Sequence, residues 1–181
     1  MKYQKIIDRI ISGGMSRAEL QTLQKNAEGK LKQGDAEAQA VIDAINISNP
    51  EDDYVLFMGF CPNADFGGRQ DIEWKAKGIC EFDFPESPVQ VEQFDTICAG
   101  DLVVLKKIKQ FGKTMSLFGH GRVTSVAYDV NGMRYLKMDW AKQDKIIEVP
   151  LMSCNSTINI REMDAVSKEM PKEFFEWLEG K

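Results

Sequence analysis

The amino-acid sequence predicts an α+β protein, in which a helical N-terminal arm precedes a small antiparallel β-barrel closed by a C-terminal helix. Three observations lead to this fold class. Apolar residues recur with helical spacing over residues 1–46, strand-length apolar or alternating runs dominate from residue 54, and the final residues return to helical spacing. With 181 residues, 43% of them hydrophobic, the chain can bury a core without disulfides.

The N-terminal arm is predicted from three amphipathic segments. In the first, apolar residues recur at i, i+3, i+4, i+7 and i+8, namely Tyr3, Ile6, Ile7, Ile10 and Ile11. Similar spacing continues through two further segments, up to about Ile45. Polar residues around Pro50 then break the pattern. We therefore expect a helical arm over residues 1–46, a linker over residues 47–53, and the barrel domain with its C-terminal helix over residues 54–181.

The body is predicted from short strands and tight turns. The expected strands cover residues 54–60, 71–77, 102–108, 117–128, 133–140, 146–150 and 157–160. Asn131-Gly132 predicts a hairpin with a type I′ turn, in which both residues have positive φ. A short helix is expected between residues 90 and 98, and Pro171 predicts the start of an apolar terminal helix. Several short strands with tight turns favour a small antiparallel barrel.

The charge of the chain is unevenly distributed. The net charge of −5 argues against a general nucleic-acid coat protein. Residues 101–125 nevertheless carry five basic side chains and one acidic side chain, whereas residues 47–100 carry three basic and eleven acidic ones. The basic segment predicts a local surface for an anionic ligand, although a solvated pair of strands would show the same lysines.

The sequence shows neither a leader peptide nor a membrane span. Its first residues mix charged and apolar side chains, and no apolar stretch approaches the ~18 residues of a transmembrane helix. The four cysteines are widely spaced without a Cys-x-x-Cys pair, so we expect reduced, buried thiols and no metal site. These features predict a cytoplasmic protein without a membrane partner.

No pattern in the sequence supplies a complete catalytic site. Gly112-Lys113-Thr114 lacks the earlier glycine of a phosphate-binding loop. His120 has no nucleophile and orienting acid at a recognisable spacing, and its flanking glycines indicate a close backbone approach or a bulge. Glu73 and Lys75, with Asp65 upstream, match the Glu-x-Lys element of Mg²⁺-dependent nucleases of the PD-(D/E)xK type. Such pairs are common in exposed strands, so we expect a binding protein without a cofactor and keep the nuclease as the enzymatic alternative.

Glycine-containing strands and one tryptophan carry a resemblance to a known family. Trp74 is followed by Gly78-Ile79, then by Ala99-Gly100-Asp101 before an apolar strand, and then by Gly119-His120-Gly121-Arg122-Val123. The order of these features over residues 54–160 resembles a PUA-like domain of the EVE/YTH type, which occurs in bacterial restriction and phage-defence proteins. The resemblance implies a PUA-like barrel in a bacterial or prophage protein, with an aromatic pocket for a modified nucleobase.

The sequence therefore predicts a non-catalytic module that binds DNA or RNA at a modified or unpaired base. The expected ligand-binding residues are Phe60, Trp74, Trp140, His120, Arg122, Asn155, Ser156 and Thr157. The expected contacts to the nucleic-acid backbone are Lys106, Lys107, Lys109 and Lys113. The alternative from another class is a protein-interaction or inhibitor module, which uses the acidic stretch from Glu51 to Asp95 to bind a bacterial protein.

Overall fold

A computed structural model describes residues 2–13, 15, 17–48, 54–61, 68–82, 87–142 and 145–181 of the chain. In these ranges an arm of three helices precedes a mixed β-sheet that has helices on both faces. Asp65, which the nuclease alternative requires, and the linker residues around Pro50 lie outside the described residues.

The three predicted helices of the arm are confirmed, and their bounds are α1 Gln4–Ile11, α2 Arg17–Lys32 and α3 Ala38–Ile47. Their apolar faces pack on one another in a core cluster of their own, which includes Ile7, Ile10, Leu20, Ala27, Val41 and Ile45. Burial of a Leu or Ile side chain contributes about 1.5–3 kcal/mol. The arm therefore has a small hydrophobic core that is separate from the core of the sheet.

In the described residues, the body contains seven strands and four helices. The strands are β1 Tyr54–Gly59, β2 Ile79–Glu81, β3 Leu102–Gln110, β4 Thr114–Tyr128, β5 Arg134–Trp140, β6 Ile147–Pro150 and β7 Ile158–Glu162. The helices are α4 Gln70–Lys77, α5 Pro88–Asp95, α6 Met163–Glu169 and α7 Lys172–Leu178. The strand order is β2-β5-β4-β3-β1-β7, and β6 pairs with the first residues of β4.

The predicted antiparallel barrel is wrong, because the sheet is open and contains a parallel pair. β2 and β7 form the two edges of the strand order and do not pair with each other. β1 pairs in parallel with β3, with Val55 opposite Leu102, because the segment that contains α4, β2 and α5 returns the chain to the starting end of the sheet. On its other side β1 pairs antiparallel with β7. β1 is therefore an interior strand buried on both faces, which explains its continuous apolar sequence.

Each face of the sheet is covered by two helices. On the first face, α4 and α5 pack on a cluster that includes Leu56, Met58, Trp74, Phe94, Leu105 and Leu136. On the second face, α6 and α7 pack on a cluster that includes Val55, Phe57, Val104, Leu117, Phe174 and Trp177. The expected docking of the C-terminal helix is thus confirmed. Although α7 is strongly apolar, none of the described helices is long and apolar enough to cross a lipid bilayer.

Residues 71–77 form helix α4 instead of the predicted strand. In a strand Ile72 and Trp74 would share one face, whereas in a helix their directions differ by about 200°. Ile72 is 57% exposed and Trp74 only 2%, as the helix requires. Gly78 ends the helix in the left-handed conformation, with a φ of 66°. Seven residues of apparent alternation were too few to separate the two periodicities.

The predicted hairpin at Asn131-Gly132 joins β4 to β5, but its turn is not of type I′. The Asp129 carbonyl accepts a hydrogen bond from the Gly132 N–H at 3.0 Å, and of the two predicted residues only Gly132 has a positive φ, of 78°. These features describe a type I turn followed by a left-handed glycine. The Asp129 carboxylate favours this turn, because it accepts hydrogen bonds from the N–H groups of Asn131 and Met133 at 2.8 and 2.7 Å.

Candidate functional site

The β3–β4 hairpin extends beyond the carboxyl end of β1, and this end of the sheet gathers many of the predicted binding residues. β1 ends at Gly59, opposite Lys106, while β3 and β4 continue to the turn at residues 111–113. The segment before β7 reaches the same place, because the Gly59 N–H donates to the Thr157 carbonyl at 2.7 Å. Three segments that are distant in sequence therefore meet at this end of the sheet.

Two phenyl rings and one guanidinium group lie at the centre of this region. Phe60 and Phe118 contact edge to face, with ring centroids 5.0 Å apart. The guanidinium of Arg69 lies 5.8 Å from the Phe60 centroid and 5.4 Å from the Phe118 centroid. We call these three residues the stacking platform. A cavity of about 340 Å³ opens beside it and is lined by Arg69, Asp71, Ile72, Lys75, Phe118 and Ile146.

A buried carboxylate fixes the guanidinium of the platform. Arg69 Nε and Nη2 donate to the two carboxylate oxygens of Asp71 at 2.7 and 2.6 Å. Asp71 is only 1% exposed, so this two-point ion pair sets the orientation of the guanidinium plane. The Arg69 side chain remains 43% exposed and can still contact a ligand.

A β-bulge brings Phe118 to the platform. β4 pairs Gly119 with Leu105 but Leu117 with Lys106, so Phe118 is an extra residue in the strand. At Gly119 an added Cβ would lie 2.5 Å from Lys75 Cε, which shows that the lysine stem occupies the space of a missing side chain. Lys75 Nζ donates to the Phe118 carbonyl at 2.7 Å. The close approach or bulge predicted for Gly119-His120-Gly121 is therefore confirmed.

The four predicted backbone-binding lysines differ in exposure. Lys107, Lys109 and Lys113 are exposed, and Lys109 forms an ion pair with Glu148. Lys106 is 3% exposed, and its Nζ donates to the carbonyl oxygens of Cys154 and Ser156 at 2.9 and 2.7 Å. Burial lowers the pKa of Lys106 to about 8. Lys106 therefore anchors the segment before β7 and cannot contact phosphate as predicted, whereas Lys107 and Lys113 are exposed and Lys109 is exposed but paired with Glu148.

An exposed aromatic residue at the tip of the same hairpin was missed by the sequence analysis. Phe111 is 80% exposed and lies in the turn between β3 and β4. Leu105 belongs to the first face, so alternation along β3 places Lys107 on that face too, together with the stacking platform. The sequence signal for Phe111 was an aromatic residue inside a lysine-rich turn. A hydrophobic core does not require an aromatic residue at such a position.

The predicted base-reading segment follows two residues in the left-handed region, Met152 and Ser153, with φ values of 48° and 57°. Asn155 and Ser156 are exposed, whereas Thr157 is half-buried. Ser156 and Thr157 use their backbone carbonyls to hold Lys106 and β1. These three residues thus lie at the same end of the sheet as the stacking platform.

The two predicted stacking tryptophans do not face solvent beside the lysines. Trp74 is 2% exposed and lies in the core cluster of the first face. Trp140 is half-buried, and its Nε1 donates to the Ile79 carbonyl at 3.3 Å. Its ring covers Gly121, where an added Cβ would lie 2.8 Å from the indole. Both indoles therefore support the sheet, whereas Phe60 and Phe118 are half-buried and Phe111 is exposed.

His120 and Arg122 point to the second face, away from the stacking platform. His120 is 7% exposed, and its ring centroid lies 4.7 Å from that of Trp177. Burial lowers the pKa of His120 below its ordinary value. Arg122 Nη1 donates to the Gly100 carbonyl at 2.7 Å. His120 and Arg122, with Asp139 and Trp140, line a separate cavity of about 270 Å³.

The geometry gives no support to the nuclease alternative. Its Glu-x-Lys element lies on a helix, where Glu73 pairs with Lys77 at 2.5 Å and Lys75 binds a carbonyl group. Within the described ranges, no group of three or more His, Cys, Asp and Glu side chains could hold a metal ion. Of the two carboxylates that this alternative requires, Glu73 is thus held by Lys77, and Asp65 lies outside the described residues.

The acidic alternative stays a prediction. Much of its acidic stretch, including residues 51–53, 65, 83 and 86, lies outside the described part of the chain. Of the described acids, Asp71 and Glu73 are already engaged by Arg69 and Lys77.

Comparisons of the chain with protein-family models, curated proteins and solved structures find no match. The resemblance to PUA-like domains stays a prediction, although the closed barrel that it implied is wrong. Function is therefore inferred from the side chains that the fold brings together.

Proposed function

We propose that this protein is a non-catalytic module that binds an unpaired stretch of nucleic acid at the hairpin end of its sheet. The observation that carries the proposal is the stacking platform, in which buried Asp71 fixes the Arg69 guanidinium over Phe60 and Phe118. Unpaired bases stack on aromatic rings and on arginine guanidinium planes. A platform that is fixed before binding loses little conformational entropy when a base arrives.

The exposed lysines supply the complementary charge. Lys107 shares the face of the platform, and Lys109 and Lys113 lie on either side of the hairpin tip. Lysine contacts with phosphate release counterions, so they give affinity that depends on salt and not on sequence. Because the whole chain has a net charge of −5, the attraction is restricted to this local surface.

Phe111 provides the clearest test, because its ring takes no part in the core. We expect Phe111→Ala to leave folding unchanged and to weaken binding of a single-stranded oligonucleotide about 5- to 150-fold, which corresponds to roughly 1–3 kcal/mol for one stacked base. Fluorescence anisotropy with labelled DNA and RNA strands measures this effect. Val130→Ala is the matched control, because Val130 is 100% exposed at the tip of the β4–β5 hairpin.

The lysines are tested by the salt dependence of the same titration. Replacing Lys107 and Lys113 by alanine should reduce the slope of log affinity against log salt by about 0.7 for each phosphate contact with a single strand. Lys5 is an exposed residue of α1, and Lys5→Ala should leave the slope unchanged. The proposal fails if the unaltered protein binds neither DNA nor RNA at low salt, or if Val130→Ala weakens binding as strongly as Phe111→Ala.

A further inference from the structure

A second cavity, of about 750 Å³, lies between the arm and the body. α2 forms one wall, and α5 with the adjoining ends of β4 and β5 forms the other. We call it the arm cleft. Its volume falls in the range of about 300–1,000 Å³ that is typical of small-molecule sites. Tyr128, which lines the cleft, lies ten residues along β4 from Phe118, so the cleft is roughly 33 Å from the stacking platform.

The body side of the arm cleft is an aromatic wall. Phe82 and Phe94 are 5% and 3% exposed, and their ring centroids are 5.9 Å apart. Arg134 donates to the carbonyl groups of Phe94 and Ile97, and its guanidinium lies 5.3 Å from the Phe94 centroid. These contacts fix the end of α5 and the ring of Phe94. The two rings are inclined to each other by 39°, so the wall is apolar and aromatic, and a planar ring can pack against it.

Two polar groups lie close together in the same cleft. The Tyr128 hydroxyl is buried and has no hydrogen-bond partner among the described residues. Burial and the nearby carboxylate of Glu28 raise the pKa of Tyr128 well above its ordinary value, although the two groups do not meet at hydrogen-bonding geometry. The hydroxyl thus stays protonated and offers a donor. Glu28, which accepts a hydrogen bond from Gln24 Nε2 at 3.0 Å, has further acceptor capacity.

We propose that the arm cleft binds a flat, uncharged heteroaromatic molecule with an amino group next to a ring nitrogen. The ring lies against Phe82 and Phe94, the ring nitrogen accepts from the Tyr128 hydroxyl, and the amino group donates to Glu28. The ligand thereby supplies a well-aligned acceptor to a buried hydroxyl.

The charges at the rim favour an uncharged ligand. Lys25 and Lys32 are opposed there by Glu92 and Asp95, all four of them exposed. No excess of positive charge is available to hold several phosphate groups. This balance separates the arm cleft from the lysine-rich hairpin at the other end of β4.

The required edge, an amino donor beside a ring acceptor, is present in cytosine and adenine, both as free nucleosides and as unpaired bases in a strand. Isothermal titration of the full-length protein distinguishes these sources. The first series of titrations uses cytidine and adenosine, with uridine as the ligand that lacks the amino group. The second series uses a short single-stranded oligonucleotide of cytosine and adenine.

We expect Tyr128→Phe to weaken binding about 2- to 10-fold through the loss of one neutral hydrogen bond. Glu28→Gln should weaken it about 5-fold, because the acceptor loses its charge. Tyr135→Phe, in a half-buried tyrosine outside the cleft, should bind like the unaltered protein. Tyr128→Phe removes an unpaired hydroxyl, so its melting temperature should be equal or higher, which separates a lost contact from a lost fold.

The outcomes are distinct from those of the hairpin experiments. Binding of cytidine or adenosine that is sensitive to Tyr128→Phe supports a free ligand. Oligonucleotide binding that is weakened by Tyr128→Phe but not by Phe111→Ala supports a base held in a strand. The proposal is overturned if neither probe binds saturably, if uridine binds as well as cytidine, or if Tyr128→Phe leaves the affinity unchanged.

Discussion

Two cations near the end of β1 show how single residues decide what this surface can contact. Arg69 is clamped by Asp71 yet keeps its side chain 43% exposed, whereas Lys106 is buried and both of its hydrogen bonds go to backbone carbonyls. The sequence predicted the basic segment but not which member of it is buried. The burial of Lys106 depends on carbonyl groups about fifty residues away in sequence. The residues next to Lys106 therefore do not predict it.

His120 predicts a loss of stability in mild acid. Burial, aided by the positive charges of Lys75 and Arg122, lowers the pKa of His120 below its ordinary value of 6.5. The unfolded chain therefore binds the proton more readily than the folded one. The free energy of unfolding should have its full value above about pH 6.5 and fall as the pH drops through the folded pKa.

Urea unfolding at pH 7.5, 6.5 and 5.5 measures this dependence. The chain has a single histidine, so His120→Gln should remove most of the change in this pH interval. An unchanged pH dependence in that variant would assign the effect to carboxyl groups instead.

Among the elements, those with long, regular periodicity were predicted best. The arm helices and the terminal helix α7 were found from their apolar spacing, because each buries one continuous stripe. Phe118 was missed for a physical reason: a bulge adds one residue to β4, and alternation before it cannot be extended past it. The side chain that completes the stacking platform is thus set by strand pairing and not by its own neighbours in sequence.

Gly121 tests the close contact between β4 and β5. An added Cβ would lie 2.6 Å from the Asp139 carbonyl oxygen, which is backbone and cannot move independently. We expect Gly121→Ala to lower the free energy of unfolding by about 1–3 kcal/mol through overpacking. Chemical denaturation followed by circular dichroism checks this value.

Gly29→Ala is the matched control, because no atom lies within 4 Å of the added Cβ in helix α2. It should raise the free energy of unfolding by roughly 0.5–1 kcal/mol, since alanine restricts the unfolded chain and favours helix. Destabilisation by both substitutions to the same extent would contradict the specific role of Gly121.

At the scale of the whole molecule, the sequence predicted a helical arm followed by a β-rich body and a terminal helix, but it did not predict how the strands pair. Strand-length runs indicated a β-rich body, yet they did not show that β1 lies between a parallel and an antiparallel partner. Those partners are residues 102–106 of β3 and residues 158–162 of β7. Several other elements separate each of them from β1 in sequence. Pairing over such distances depends on the joint packing of both sheet faces.

The arm and the body should unfold separately. The arm has its own core, and its polar contacts with the body include Gln21 Nε2 donating to the Thr96 carbonyl at 3.0 Å. The core cluster of the arm shares no residue with the two clusters of the sheet. We expect hydrogen–deuterium exchange to show lower opening free energies for residues 4–47 than for β1 and β3. Equal protection in both parts would indicate one cooperative unit.

The interior position of β1 also governs how the newly made chain can reach its native state. β3 can pair with β1 early in synthesis, but β7 is translated about a hundred residues after β1. Until β7 leaves the ribosome, one edge of a fully apolar strand has no partner. Such an edge is a template for pairing between nascent chains, and chaperones commonly protect surfaces of this kind. Stalled or shortened products of translation should therefore be the aggregation-prone forms of this protein.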